Sequence, residues 1–178
     1  TVPYTLSLHD ALPICYHGTN KREPWHYPAI APIIKKWWKL RYTLIPYIIA
    51  QSRKAISSGA PLLQALIFHH PEDKLCWHID DEYYFGNDFL VAPVMNSENR
   101  RDVYLPEGQW VNFFTGEVLE GGRWLKDLDV PLDEMPVYVR QGATIPVYPD
   151  EVECTDEMDL SKSAELHIDN HFKGIFKD

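Results

Sequence analysis

The sequence is poor in cysteine and in basic residues, and it has no long apolar run. Cys15, Cys76 and Cys154 do not have the spacing of a metal motif, and three cysteines make no even disulfide framework. There are 17 Lys and Arg against 26 Asp and Glu, a net charge of −9 at pH 7, so phosphate backbones and anionic membranes are poor partners. No apolar stretch has transmembrane length. We therefore expect a disulfide-independent fold, with no nucleic acid and no membrane among its partners.

Four potential metal ligands lie close together in the sequence, namely His69, His70, Cys76 and His78. We expect the segment that holds the two adjacent histidines to be a strand, in which neighbouring side chains point to opposite faces. A zinc ion needs ligands that converge on one point, so this geometry argues against a shared metal. We predict no metal site and no cofactor.

A helical period begins near Pro28, which suits a first helical turn because its missing N–H costs nothing there. The Ser-Ser-Gly sequence that ends at Gly59 predicts the helix end. Pro46 lies inside the segment and predicts a kink or a break into two helices near Ile45. An apolar stripe this broad needs a large partner surface, which the rest of the chain does not offer. The apolar positions are Ile30, Ile33, Ile34, Trp37, Leu40, Leu44, Ile45, Ile48 and Ile49.

After Gly59 the period changes to that of short strands separated by turns that contain glycine, a pattern typical of an antiparallel β-sandwich. Glu107-Gly108 and Thr115-Gly116 are predicted hairpin turns. We interpret "DEYYFG" as a short helical turn, and residues 149–162 as acidic and irregular. The predicted strands are "PLLQALIFHH", "DFLVAPV", "RDVYL", "QWVNFF", "EVLE", "PVYVR", "TIPVY" and "AELHI".

The first residues do not fit this organisation. Residues 4–14, "YTLSLHDALPI", resemble one translated reading frame of a common sequencing-adapter oligonucleotide, and Cys15 fits the junction codon. We therefore exclude residues 1–15 from the fold, and with them the acid/base pair that His9 and Asp10 would suggest. On this interpretation the natural chain begins further upstream, and the sequence is a C-terminal fragment.

Five motifs occur in a characteristic order: "HGTNKREPW", "LRYTLIPY", "DEYYFGNDFLVAPV", "YLPEGQW" and "PVYVRQGATIP". Together they resemble glycoside hydrolase family 31 over residues 16–178. The resemblance implies a mixed α and β fold, in which the last helix of a (β/α)8 barrel precedes an antiparallel β-sandwich and the start of a second β domain. The implied bounds are 16–59 for the end of the catalytic barrel, 60–148 for the proximal sandwich and 149–178 for the distal domain.

The same resemblance implies a retaining α-glycosidase that uses two aspartates, one as nucleophile and one as acid/base. Retention requires the two carboxyl groups about 5 Å apart. In the family both aspartates precede the histidine motif, so we expect no catalytic residue in this chain. Asp80, Asp81 and Glu82 could mimic a carboxylate pair, but an acid-rich helix N-terminus, which the helix dipole favours, is the preferred interpretation.

His17 is the candidate substrate-binding residue. The resemblance places it just beyond the last barrel strand, at the barrel end where such active sites lie. Its counterpart in the family hydrogen-bonds sugar hydroxyls where the covalent intermediate forms, and an imidazole can donate from one nitrogen and accept at the other. Gly18 lets the backbone pass close to the ligand. The alternative is that His17 is a loop histidine that hydrogen-bonds within the protein and binds no ligand.

The other prominent side chains have structural interpretations. Arg22 and Glu23 are expected to form an ion pair that braces the loop, and Trp25 to seat it on the barrel. The sandwich tryptophans are expected in the core or at an interface, and not as carbohydrate platforms; they are Trp77, Trp110 and Trp124.

The expected substrate is an oligosaccharide with terminal α-linked xylose or glucose. "HG" followed by "REPW" resembles the α-xylosidase branch more than the α-glucosidase branch, so xylose is preferred. A non-catalytic β-sandwich accessory or carbohydrate-binding module is the alternative function. The sequence of the upstream DNA would separate the two, since only the enzyme needs the two-aspartate barrel.

Overall fold

The computed structural model describes residues 27–175, which belong to two compact units, Thr1–Tyr42 and Thr43–Asp178. Among these residues no helix has the length and apolarity needed to cross a membrane. The elements are helices α1 (Ala31–Thr43) and α2 (Ile45–Ser58) and strands β1 (Leu63–Gln64), β2 (Tyr83–Phe85), β3 (Phe89–Val91), β4 (Arg100–Leu105), β5 (Gln109–Asn112), β6 (Val118–Glu120), β7 (Arg123–Asp129), β8 (Val137–Arg140), β9 (Thr144–Val147) and β10 (Ala164–His167). Short 3₁₀ helices cover Leu66–Phe68, Lys74–Trp77, Thr155–Glu157 and Leu160–Lys162.

The predicted break in the helical segment is confirmed. Leu44 separates the two helices, and Pro46 lies in the first turn of α2, where a proline leaves no hydrogen bond unmade. The predicted end is confirmed as well. Gly59 follows Ser58 with φ +76°, and its N–H donates to the Ala55 carbonyl at 2.9 Å. This left-handed conformation is easy only for glycine, so the sequence stops the helix there.

The second unit is built on a six-stranded antiparallel sheet with the strand order β1-β2-β3-β8-β5-β6. Strand side chains alternate between faces, so the register assigns each residue to one side. Tyr84, Leu90 and Tyr138 share one face. Phe85, Phe89 and Val139 share the other. Both faces are buried along β3 and β8, so these strands read as continuous apolar runs.

The Tyr84 face packs against a separate ribbon of β4 and β7, which forms the second layer of the sandwich. The predicted antiparallel β-sandwich is therefore confirmed. The core residues between the layers are Leu66, Cys76, Tyr84, Leu90, Ala92, Val103, Tyr104, Leu105, Trp110 and Tyr138.

The Phe85 face packs against helix α2. The Tyr47 ring lies edge-on to Phe89 with centroids 5.0 Å apart, and Phe89 lies edge-on to Phe113 at the same distance. Phe172, which follows the ribbon of β9 and β10, stacks on Phe113 at 6.0 Å. Aromatic pairs in these orientations add to the stability gained from apolar burial.

The helical interpretation of "DEYYFG" is wrong, because residues Tyr83–Phe85 form strand β2. Aromatic side chains favour strands, and Gly86 to Asp88 form the turn that pairs β2 with β3. Within "PLLQALIFHH" only Leu63–Gln64 form a strand, β1. The rest of this prediction is wrong, since Leu66–Phe68 form a 3₁₀ helix.

Two predicted features of the turns and ribbons need correction. Thr115-Gly116 does lie in the hairpin between β5 and β6, with Gly116 at φ +75°. Glu107-Gly108 is not a hairpin turn, because β4 and β5 belong to different sheets. Strand β7 was not predicted.

Glu82 connects the two layers of the sandwich. Its side chain is fully buried, and Oε1 accepts a hydrogen bond from the Tyr104 N–H of β4 at 2.8 Å. Oε2 is buried and has no hydrogen-bond partner. Arg101 Nη2 lies 3.8 Å from Oε1 and binds the Asp81 carbonyl at 2.6 Å. Burial raises the pKa of Glu82 to about 7, although the Tyr104 N–H and Arg101 oppose this shift.

We predict that Gly86→Ala destabilises the protein more than Gly122→Ala. Both glycines have positive φ, +64° and +71°, so both substitutions introduce backbone strain. At Gly86 the new Cβ would also collide with the Tyr47 hydroxyl and lie 2.7 Å from Gln51 Cγ, whereas at Gly122 it meets nothing within 4 Å. Overpacking adds roughly 1–3 kcal/mol to the cost at Gly86. Urea unfolding measures both variants, and equal losses would contradict the packing described.

We predict that Glu82→Gln becomes more stabilising, relative to the natural residue, as the pH rises from 5 to 8. A carboxyl with pKa about 7 in the folded state and an ordinary value in the unfolded state binds more protons when folded, so its contribution to stability falls as the pH rises through 7. The amide has no such charge to bury. The melting-temperature difference between variant and natural protein, measured at each pH, should therefore grow with pH. Glu120→Gln, on the exposed strand β6, is the control and should give a constant difference. A growing deficit for Glu82→Gln would show that Glu82 is held as an ionised partner of Arg101.

Candidate functional site

The predicted substrate-binding loop lies outside the described residues 27–175. His17, Gly18, Arg22, Glu23 and Trp25 all belong to that loop. Their roles stay predictions. The described part of the chain contains further groups of polar residues that could form a site.

The acidic residues before β2 do not form a carboxylate pair. Asp80 and Asp81 are exposed, whereas Glu82 is buried between the layers. Asp81 Oδ1 lies 3.1 Å from Arg101 Nη2, so the same guanidinium serves both Asp81 and Glu82. The expected helix N-terminus is wrong too, because a strand follows. Asp81 and Glu82 thus share Arg101 as their partner.

The histidines and Cys76 lie on the 3₁₀ turns after β1. The strand predicted for His69 and His70 is wrong, because both residues follow the 3₁₀ turn Leu66–Phe68. Cys76 is buried, and burial raises the pKa of its thiol to about 12, which disfavours the thiolate that binds metals. His78 is exposed. Over residues 27–175 no group of three or more His, Cys, Asp or Glu is placed to hold a metal ion.

Arg140 of β8 organises a cluster of rings at the edge of the core. Its guanidinium carbon lies 5.2 Å from the Tyr84 ring centre and 5.3 Å from that of Trp110. Nη2 donates to the Tyr84 hydroxyl at 3.1 Å, and His70 Nε2 lies 2.8 Å from the same oxygen. The His69 ring lies 4.1 Å from the Tyr84 ring.

This cluster lowers the pKa of both histidines. Burial, together with the charges of Arg140 and His70, lowers the pKa of His69 to about 4. Burial and Arg140 also lower the pKa of His70. A fixed cation stacked on aromatic faces stabilises the fold. The cluster contains no nucleophile paired with a base, so it supports structure and not covalent chemistry.

A second polar cluster joins helix α2 to the turn between β2 and β3. The Tyr47 hydroxyl lies 3.0 Å from both the Phe85 carbonyl and Asp88 Oδ2, either of which can accept its proton. The same oxygen accepts the Asp88 N–H at 3.2 Å. Gln51, one turn later on the helix, donates to Asp88 Oδ2 at 3.3 Å. Burial raises the pKa of Tyr47, and the Asp88 carboxylate raises it further, so the hydroxyl stays protonated.

The three sandwich tryptophans differ in environment. Trp110 lies in the core, as expected, and its indole N–H donates to the Pro106 carbonyl at 2.8 Å. Trp77 and Trp124 are exposed, so neither is a core residue. Lys126 Nζ lies 4.4 Å from the Trp124 ring centre.

Sequence reasoning missed Tyr47, Asp88 and Arg140. The first two could have been suspected from a Gly-Asn-Asp turn between apolar strands and from a tyrosine on the apolar stripe of a helix. Their contact joins residues 41 positions apart, which no local pattern predicts.

Comparison with known proteins gives two matches to one family. Residues 9–51 match the glycosyl hydrolases family 31 TIM-barrel domain, and residues 59–145 match the glycosyl hydrolase family 31 C-terminal domain. The first match begins inside the stretch that resembles an adapter, so the exclusion of residues 9–14 stays a prediction.

Individual relatives agree with these matches. The chain is 33% identical to alpha-glucosidase 2 of Bacillus thermoamyloliquefaciens over 92% of its length, and 37% identical to an alpha-xylosidase of Saccharolobus solfataricus over 79%. It spans 20% of each relative. A Flavobacterium johnsoniae dextranase of this family, solved with isomaltotriose, superposes with a TM-score of 0.71 at 36% identity, covering 74% of this chain and 16% of that one. The chain belongs to glycoside hydrolase family 31.

Proposed function

We propose that this chain is part of a retaining α-glycosidase that releases terminal α-linked xylose, or glucose, from oligosaccharides. The observation that carries the proposal is that the barrel and C-terminal domain matches of family 31 occur in one chain, in that order. The names of an α-glucosidase and an α-xylosidase among the relatives support the reaction class. The chain spans about a fifth of those relatives, so the activity is proposed for the complete protein.

The proposed reaction is a double displacement at the anomeric carbon. One aspartate attacks this carbon while the other protonates the leaving oxygen, and the second then activates the water that hydrolyses the glycosyl-enzyme. In the family both aspartates precede the motif that contains His17. The carboxylates around Arg101 have structural partners, which supports the view that this chain supplies neither catalytic group.

His17 is proposed to bind hydroxyls of the sugar in the reacting subsite. An imidazole can donate to one hydroxyl while its other nitrogen accepts or is held by a neighbour. A site built around such bonds rejects sugars that lack the hydroxyl, because its own polar groups would be left unpaired. The resemblance of "HGTNKREPW" to the family motif supports this role.

The preference for xylose rests on the "HG" and "REPW" pair. Identities of 37% to an α-xylosidase and 33% to an α-glucosidase differ too little to add weight. A non-catalytic accessory module is the competing function. The match over residues 9–51 favours the enzyme, since an accessory module needs no part of a catalytic barrel.

We predict that the complete protein hydrolyses an aryl α-xyloside with a higher kcat/KM than the matching aryl α-glucoside. The first sugar released should be the α-anomer, because two inversions retain configuration; NMR of the fresh product measures this. The 178-residue chain alone should release no aryl group above background, because it lacks the proposed aspartates. A β-anomer as first product, or hydrolysis by the isolated chain, would contradict the proposed mechanism.

We predict that His17→Ala in the complete enzyme lowers kcat/KM by about ten- to a thousand-fold, with the melting temperature nearly unchanged. Bonds that strengthen in the transition state should affect kcat as well as KM. His171→Ala, at an exposed position, is the matched control and should leave the kinetics unchanged. The loss should shrink for a substrate that lacks the contacted hydroxyl. Unfolding of the variant, or unchanged kinetics, would show that His17 is structural.

A further inference from the structure

One segment at the edge of the six-stranded sheet contains no charged residue. Residues 55–71 contain no Asp, Glu, Lys or Arg, in a chain of which 24% of the residues are charged. Strand β1 lies at this edge, and the two 3₁₀ turns follow it. Charged residues are depleted at the centres of interfaces compared with the rest of a surface, so this composition indicates a buried contact.

Apolar side chains are exposed along the same edge. Leu63, Phe68, Leu75 and Trp77 form what we call the β1-edge surface, and 64% of Phe68 and 61% of Trp77 are exposed. The turns Leu66–Phe68 and Lys74–Trp77 contact each other. The Trp77 indole N–H donates to the Pro71 carbonyl at 2.9 Å, which restrains the exposed ring. The side chains are thus presented on an ordered scaffold.

The opposite edge of the sheet differs. Strand β6 is flanked by Glu117 and ends at Glu120, and both are exposed. Charged side chains at an edge discourage association with other chains. Residues 55–71 at the β1 edge contain no charged residue, although the exposed Glu72 and Lys74 follow them. The two edges therefore differ in the density of charge.

The β1 edge also lies next to residues of helix α2 that match the barrel domain. Residues 45–51 of helix α2 fall within the barrel-domain match, and Tyr47 and Gln51 bind the turn at Asp88. Gln51 and Lys54 of this helix line a cleft of about 50 Å³ together with Gln64 of β1 and Gly86. Barrel-derived sequence therefore already lies beside β1.

We infer that the β1-edge surface is where the rest of the catalytic barrel docks on the sandwich in the complete protein. The inference rests on the proposed function only in requiring that the complete protein contains the family barrel. The chain spans 20% of its relatives, so these proteins contain ample further sequence to cover the surface. The exposed apolar side chains of this surface fit the centre of a contact between domains, where charged residues are depleted.

Paired substitutions in two proteins test this inference. Phe68→Asp and Leu75→Asp are each made in the complete protein and in the 178-residue chain. Each should lower the melting temperature of the complete protein by roughly 5 °C or more, and that of the 178-residue chain by less than about 1 °C. Leu132→Asp is the control, because Leu132 is 75% exposed beside Asp133 and Glu134. It should be silent in both proteins.

Hydroxyl-radical footprinting gives a second measurement that needs no substitution. Trp77 should be labelled in the 178-residue chain and protected in the complete protein, while the buried Trp110 is protected in both. Equal labelling of Trp77 in both proteins would overturn the inference.

Other occupants of the surface give distinct results, and each would overturn the inference. Dissociation of a dimer by Leu75→Asp without loss of melting temperature identifies a second copy. Weaker binding of isomaltotriose without loss of melting temperature identifies a sugar platform. Absence of α-glycosidase activity in the natural complete protein contradicts the proposed function instead, and it leaves the footprinting result valid.

Discussion

Tyr47 carries its hydroxyl into an otherwise apolar layer, and the turn between β2 and β3 has to supply its partners there. A buried hydroxyl without a hydrogen bond is costly. The turn meets this need with the Phe85 carbonyl and both the N–H and the carboxylate of Asp88. Gly86 leaves the space that the tyrosine occupies. The position of helix α2 on the sheet, and the aromatic layer beneath it, therefore depend on this contact.

Charged residues on the opposite side of the sheet also have structural partners. Arg140 lies against two rings, and Arg101 holds backbone carbonyls and the loop before β2. The pKa values of His69 and His70 are lowered by burial, and that of Glu82 is raised by burial to about 7. In the described sandwich these charged groups therefore support the fold.

Features fixed by local stereochemistry could be predicted from the sequence. The break at Leu44 and the end of α2 at Ser58 follow from Pro46 and Gly59. Strand β7 could not be predicted, because its apolar residues do not alternate. Leu125 pairs with Val103 and Leu128 with Arg101, and the register shifts between them. Asp127 adopts φ +54° at this irregularity, and the Asp102 carboxylate accepts its N–H.

The site is harder to predict than the fold, because its contacts are non-local. Tyr47 and Asp88 come together only when helix and hairpin are both formed. The assignment of His17 came from a motif and not from geometry, and it remains a prediction.

The contacts of helix α2 also bear on where this architecture can be divided. The family's barrel match ends at residue 51 and its C-terminal match begins at residue 59, whereas the compact units divide between Tyr42 and Thr43. A sandwich excised at residue 59 would lose Tyr47 and with it the ring that packs on Phe85 and Phe89. Chimaeras between relatives should therefore be joined before Thr43, so that helix α2 moves together with the β2–β3 turn that binds Tyr47.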